Sequence, residues 1–144
     1  MYIISACLLG EKCRYNGEGF FSEEVKRMTE GHRYISVCPE VEGGFSVPRP
    51  PVELLEGRAI RPDGEDITEE FLRAANMVWD RIQSEAAASG EKIELAVLKA
   101  RSPSCGAGTI YDGTFSGKRV SGDGVFAALL REKGIKVISE EDLI

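Results

Sequence analysis

The chain has 144 residues, 42% of them hydrophobic, which suits one domain spanning residues 1–144 with a core of its own. Its formal charge is −6, from 18 Lys and Arg against 24 Asp and Glu. This argues against a general nucleic-acid or membrane surface while leaving room for a local basic pocket around a small anion.

The opening MYIISACLLG is an apolar run too short for a signal peptide or a membrane span, and it carries no basic leader. A cytoplasmic protein with reduced thiols is therefore expected, and reduced thiols favour metal binding or catalysis over disulfides. Residues 2–8 read as a first strand. Ser22 can cap a short helix over 23–30 that Gly31 ends. Residues 34–38 form a second strand, followed by a stretch with prolines at 48, 50, 51 and 62 that cannot hold regular structure for long. Loops of that length in small domains are usually functional. Asp66, with Glu69 three residues on, gives a capping-box-like start to the longest helix. Its apolar positions Phe71, Leu72, Ala75, Val78, Trp79, Ile82 and Ala86 keep a 3.6 period to a stop at Gly90, and Trp79 reads as core. Residues 93–99 form a third strand and residues 135–139 a fourth, with a helix over 124–133 between them that Asp123 can cap and Gly134 closes. The expected fold is α/β: a mostly parallel sheet of four to five strands with helices on both faces, and a small hairpin near 109–120.

Three of the four cysteines, Cys7, Cys38 and Cys105, fall where a strand runs out into a turn rich in glycine or proline. Strand ends on one edge of an α/β sheet converge, so these thiols can line a single pocket. The competing reading of any one of them is a small core hydrophobe. After the third strand, RSPSCGAGTIYDGTFSGKRVSGDG carries six glycines, which let backbone amides approach an anion or a cluster. It is not a P-loop, because GTFSGKR lacks the first glycine and the hydroxyl after lysine, and no GxGxxG follows the first strand.

Five residues separate Cys7 from Cys13 and no CxxC pair occurs, which disfavours a zinc ribbon and a thioredoxin-type redox site. The lone histidine, His32, lies in a GHRY turn and reads as a surface residue. Thiolates without a histidine suit an iron-sulfur cluster, and three such ligands leave one iron of a cubane open. Two other classes stand beside that reading. One is a non-catalytic cluster- or metal-binding module using all four cysteines; the other is a thiol enzyme with Cys105 as nucleophile, which lacks an evident base.

The segments ISACLLGEKCRYNG, SVCPEVEGGFSVPRPPVE and LKARSPSCGAGTIYDGTFSGKRVSGDGVFAALL resemble the DUF523 family, which includes the thiouracil desulfidases, over nearly the whole chain. The resemblance implies a 4Fe-4S cluster held by Cys7, Cys38 and Cys105, with the fourth iron taking the sulfur of a thiolated nucleobase or a related small thioamide. Cys13 departs from the common pattern: it is either a bystander or a fourth ligand that closes the site. The resemblance also implies a catalytic role for Glu40, in VCPE, and for a serine of SPSC, either Ser102 or Ser104. Arg14 and Arg49 are candidates for hydrogen-bonding a base carbonyl or an anionic group. Arg49, among prolines, is also placed to brace the long loop. Asp112 reads as a turn residue, and Tyr15 as a residue packing a loop or stacking on a ring.

Overall fold

Ile3 and Ile4 are neighbours on the first strand and both are fully buried, so that strand is covered on its two faces. The computed structural model describes residues 1–144. Strand β1 (Tyr2–Ser5) pairs in parallel with β2 (Tyr34–Val37) on one side and with β5 (Leu95–Leu98) on the other. Beyond β5 lies β8 (Val137–Ser139), also parallel, giving the order β2-β1-β5-β8. Each strand is shorter than its apolar run, and β1 and β2 stop just before Cys7 and Cys38. Residues 6–8, expected to continue the first strand, instead belong to a 3₁₀ turn (Ala6–Leu9) that Gly10 ends at φ 95°.

Helix α1 (Glu23–Thr29) starts at Ser22, whose hydroxyl accepts from the Val25 amide (3.2 Å). It covers one face, where Val25 packs with Ile4, Leu8 and Val97. Helix α3 (Thr68–Ser89) and helix α4 (Val125–Glu132) cover the other, where Ala75, Val78, Ile82, Phe126 and Leu130 meet Ile3, Val37, Ala96 and Leu98. Two apolar positions of α3 depart from expectation: Leu72 is exposed and Trp79 packs only half-buried at the core's rim.

Two of the expected caps are arranged differently. Asp66 accepts from the Thr68 amide (2.9 Å) and hydroxyl (2.6 Å) rather than closing a box with Glu69, and these bonds with Arg58 hold its carboxyl down to about 2. Asp123 accepts from the Gly108 amide (2.7 Å) and pairs with Arg131 (2.9 Å), while Gly124 takes the N-cap position of α4.

Three elements escaped the periodicity. Residues 39–42 form a one-turn helix, α2 (Pro39–Glu42), entered through the proline. The proline-rich stretch contains a hairpin, β3 (Glu53–Leu55) and β4 (Arg58–Ile60). The hairpin expected near 109–120 is β6 (Thr109–Tyr111) paired with β7 (Arg119–Ser121). Asp112 serves its turn by accepting from the Thr114 amide (3.0 Å).

Candidate active site

The sheet order places a switch point between β1 and β5, where one strand's connection runs left and the other's runs right. Crevices outside the carboxyl ends of strands at such points are where open α/β sheets bind ligands. A cavity of about 290 Å³ opens there, and Cys7, Cys13, Cys38 and Cys105 all line it. Each thiol arrives on a different segment: Cys7 from the turn after β1, Cys38 from the N-cap of α2 after β2, Cys105 from the loop after β5, and Cys13 from the loop before α1. All four are free, and three are buried with Cys38 half-buried.

The thiols touch one another in a chain. Cys13 hydrogen-bonds to both Cys38 and Cys7, and the Cys38 thiol also donates to the Cys13 carbonyl (3.8 Å). The bond to Cys38 pulls the Cys13 thiol down, but the bond to Cys7 and burial outweigh it and carry it up to about 12. Cys38 is raised further, first by its bond to Cys13 and then by burial. Burial raises Cys105 to about 12, against the hydroxyls of Ser5 and Ser102 that hydrogen-bond to it. Without a metal Cys13, Cys38 and Cys105 are neutral thiols. A set of thiols on one cavity wall, with the lone His32 elsewhere, is the donor set of an iron-sulfur cluster. No three of the His, Cys, Asp and Glu side chains converge on a single ion. A zinc ion would draw its sulfurs to about 2.3 Å from one point, whereas a cubane takes ligands spread around its corners.

His32 lies at the opposite edge of the sheet, stacked on Tyr2 with centroids 3.9 Å apart and bonded to Glu94 (2.9 Å). It is remote from the thiols, as a surface reading requires.

Glu40, on α2, is buried beside the thiols and its charge acts on both Cys38 and Cys105. Each carboxylate oxygen has a donor. Arg49 Nε donates to Oε1 (3.0 Å), and the Ser104 hydroxyl donates to Oε2 (3.0 Å). The two serines thus part company. Ser104 is buried behind Glu40, whereas Ser102 lines the cavity and its Oγ accepts from the Ser104 (3.1 Å) and Cys105 (3.0 Å) amides. Arg49 is buried too, and its other donors reach the Ser46 carbonyl (3.1 Å) and the Cys13 carbonyl (2.9 Å). Those contacts tie the long loop to the site. Arg14 lines the cavity without an ion pair, its guanidinium 5.5 Å from the centroid of the exposed Phe20 ring, and Tyr15 is exposed at the same rim.

The loop carrying SPSC is pinned by the start of α4. Amides there that have no helical partner donate out, Val125 to the Pro103 carbonyl (2.9 Å) and Phe126 to the Ser104 carbonyl (2.9 Å). Sequence reasoning missed Lys99, Arg101 and Ser5, all lining this cavity. The one available signal was a lysine closing the buried run LAVLK, where an apolar residue is expected.

A family model described as 2-thiouracil desulfurase matches residues 2–142. The chain belongs to the 2-thiouracil desulfurase family. It is 40% identical over 153 residues to the uncharacterized protein YbbK of Bacillus subtilis (strain 168), a match covering 99% of this chain and 97% of the relative. It also resembles a solved structure, the [4Fe-4S]-dependent thiouracil desulfidase TudS (DUF523Vcz), with a TM-score of 0.84 and 41% identity. That match covers 99% of this chain and 91% of TudS. The α/β architecture with its four-stranded parallel sheet is thus the architecture of a family member. No helix is long and apolar enough to cross a membrane.

Proposed function

We propose that this chain is an iron-sulfur desulfidase that replaces the sulfur of a thiolated nucleobase such as thiouracil, or of a related small thioamide, by oxygen from water. The observation that carries this reading is the gathering of strand-end thiols and a doubly held carboxylate in one small cavity at the switch point. Membership of the 2-thiouracil desulfurase family and the likeness to TudS support it.

Cys7, Cys38 and Cys105 are the residues that would hold a [4Fe-4S] cluster. When bound, the cluster supplies a Lewis-acidic iron that suits a soft thiocarbonyl sulfur. The remaining tasks fall to the chain. Glu40 accepts a proton from the attacking water, and Arg49 and Ser104 fix its carboxylate so that it points one way. Ser102 offers the cavity a hydroxyl that can orient water or the ring, and Arg14 offers an unpaired planar donor at the rim. The overall change is thiocarbonyl plus water to carbonyl plus hydrogen sulfide, with no net oxidation or reduction.

A second reading has one observation in its favour. Cys13 is buried in the cavity and bonded to two of the other thiols, as a fourth ligand of a closed, non-catalytic cluster would be. Turnover separates the two. Protein prepared anaerobically should release sulfide from thiouracil; a cluster-loaded protein that releases none from any thiolated pyrimidine sinks the desulfidase.

A further inference from the structure

One charge in the cavity wall has no part in this chemistry. Lys99 directly follows β5, and its side chain is only 10% exposed. Its amide donates to the Ser5 hydroxyl (2.9 Å), which fixes the backbone at the strand end. The ammonium donates to the Ala100 carbonyl (3.1 Å), lies 3.2 Å from Glu140 Oε2, and stands 4.3 Å from the centroid of the Phe20 ring. An ammonium has three N–H bonds. Two oxygens leave at least one hydrogen with only an aromatic face to meet, in a cavity that Lys99 and Phe20 both line.

Stability does not explain this lysine. A buried ion pair is commonly matched or bettered by apolar residues of the same volume. Glu140 is committed to the pair: Oε1 accepts from the Ala100 amide (2.7 Å), while Oε2 has no hydrogen-bond donor and only the Lys99 charge beside it. Two of the other cavity cations are already engaged, Arg49 by Glu40 and Arg101 by both oxygens of Glu141 (2.8 Å each).

Position supplies the rest. Cys38 and Glu40 follow β2, and Lys99 follows β5, with β1 between them. Two strand spacings are about 10 Å, the scale of one six-membered ring with a hydrogen-bond partner at each end. We propose that Lys99 orients the substrate by donating its remaining N–H to the exocyclic oxygen of a thiolated pyrimidine, on the ring carbon one nitrogen away from the reacting thiocarbonyl. This rests on the desulfidase reading and names the substrate as one that carries a ring carbonyl besides its sulfur. As water adds, the reacting carbon becomes tetrahedral and its electron pair passes to the sulfur; the ring nitrogen between the two groups then gives its lone pair to the remaining carbonyl alone, which makes that oxygen a stronger acceptor, so the donor holds the transition state more tightly than the ground state.

The test compares the full chain with Lys99→Met on 4-thiouracil and on pyrimidine-4-thione, which lacks the second oxygen. The expected result is a fall in kcat/KM of about 10²-fold on 4-thiouracil, little change on the thione, and an unchanged iron content. Uracil gives a readout without turnover: by calorimetry its Kd should rise about tenfold in Lys99→Met. Because the substitution strands a buried carboxylate, Lys99→Met with Glu140→Gln is measured alongside. Recovery of full activity on 4-thiouracil in that double variant, equal losses on the two substrates, or unchanged uracil binding overturns the assignment to Lys99. A cluster-loaded wild type that acts on neither thione and binds no uracil overturns the desulfidase reading, and the assignment falls with it.

Discussion

At the scale of single residues, Glu40 decides whether the cavity can do acid-base chemistry. A buried carboxylate is costly unless its oxygens are bonded, and here Arg49 and Ser104 bond one each. Glu40→Gln keeps the volume and removes the proton acceptor. It should leave the iron content intact while lowering sulfide release from thiouracil by about 10²-fold or more; unchanged turnover would remove Glu40 from the mechanism. Cys7, Cys38, Cys105 and Glu40 were legible in the sequence because each lies in a short motif that follows a strand. The partners of Arg49 were not, since its contact with Cys13 joins loops 36 residues apart that no periodicity relates. Lys99 escaped for the same reason: its counter-ion Glu140 arrives from the end of β8.

At the scale of elements, the site is set by how tightly α4 meets the SPSC loop. A Cβ on Gly124 would stand 2.4 Å from the Ser104 carbonyl carbon and 2.7 Å from the Cys105 nitrogen, both backbone atoms that cannot swing aside. Gly124→Ala should therefore destabilise the protein by about 1–3 kcal/mol and displace the segment holding Cys105 and Ser104. Urea unfolding and iron content check this together, and a variant with normal stability and iron would show that the loop is not held by this contact. The strands and the three longer helices were readable from apolar runs and 3.6 spacing. The hairpin β3–β4 was hidden because its strands are three residues each, too short for an alternation to register among prolines. Helix α2 was hidden because it is a single turn, yet it carries Glu40.

At the scale of the whole molecule, the buried thiols couple folding to pH. Cys13 and Cys105 are raised from 9.0 to about 12, and Cys38 further still, so the cluster-free fold favours the neutral thiols. That stabilisation is complete below about pH 9, where the unfolded chain also keeps its thiols protonated. It is lost as pH rises towards about 12, because the unfolded chain ionises first. The urea midpoint of cluster-free protein should fall between about pH 8 and about pH 10.5, and fall less in the variant Cys13→Ala/Cys105→Ala. An equal fall in both proteins would mean that the thiols are not the coupled groups.

The proposed holding of an iron-sulfur cluster by Cys7, Cys38 and Cys105, with Cys13 outside it, is checked by iron and acid-labile sulfide per chain after anaerobic preparation of the wild type and Cys13→Ala. The three-thiol site predicts brown proteins with about four of each per chain in both cases. A colourless wild type that refuses reconstitution, or a Cys13→Ala variant that loses its cluster, contradicts it.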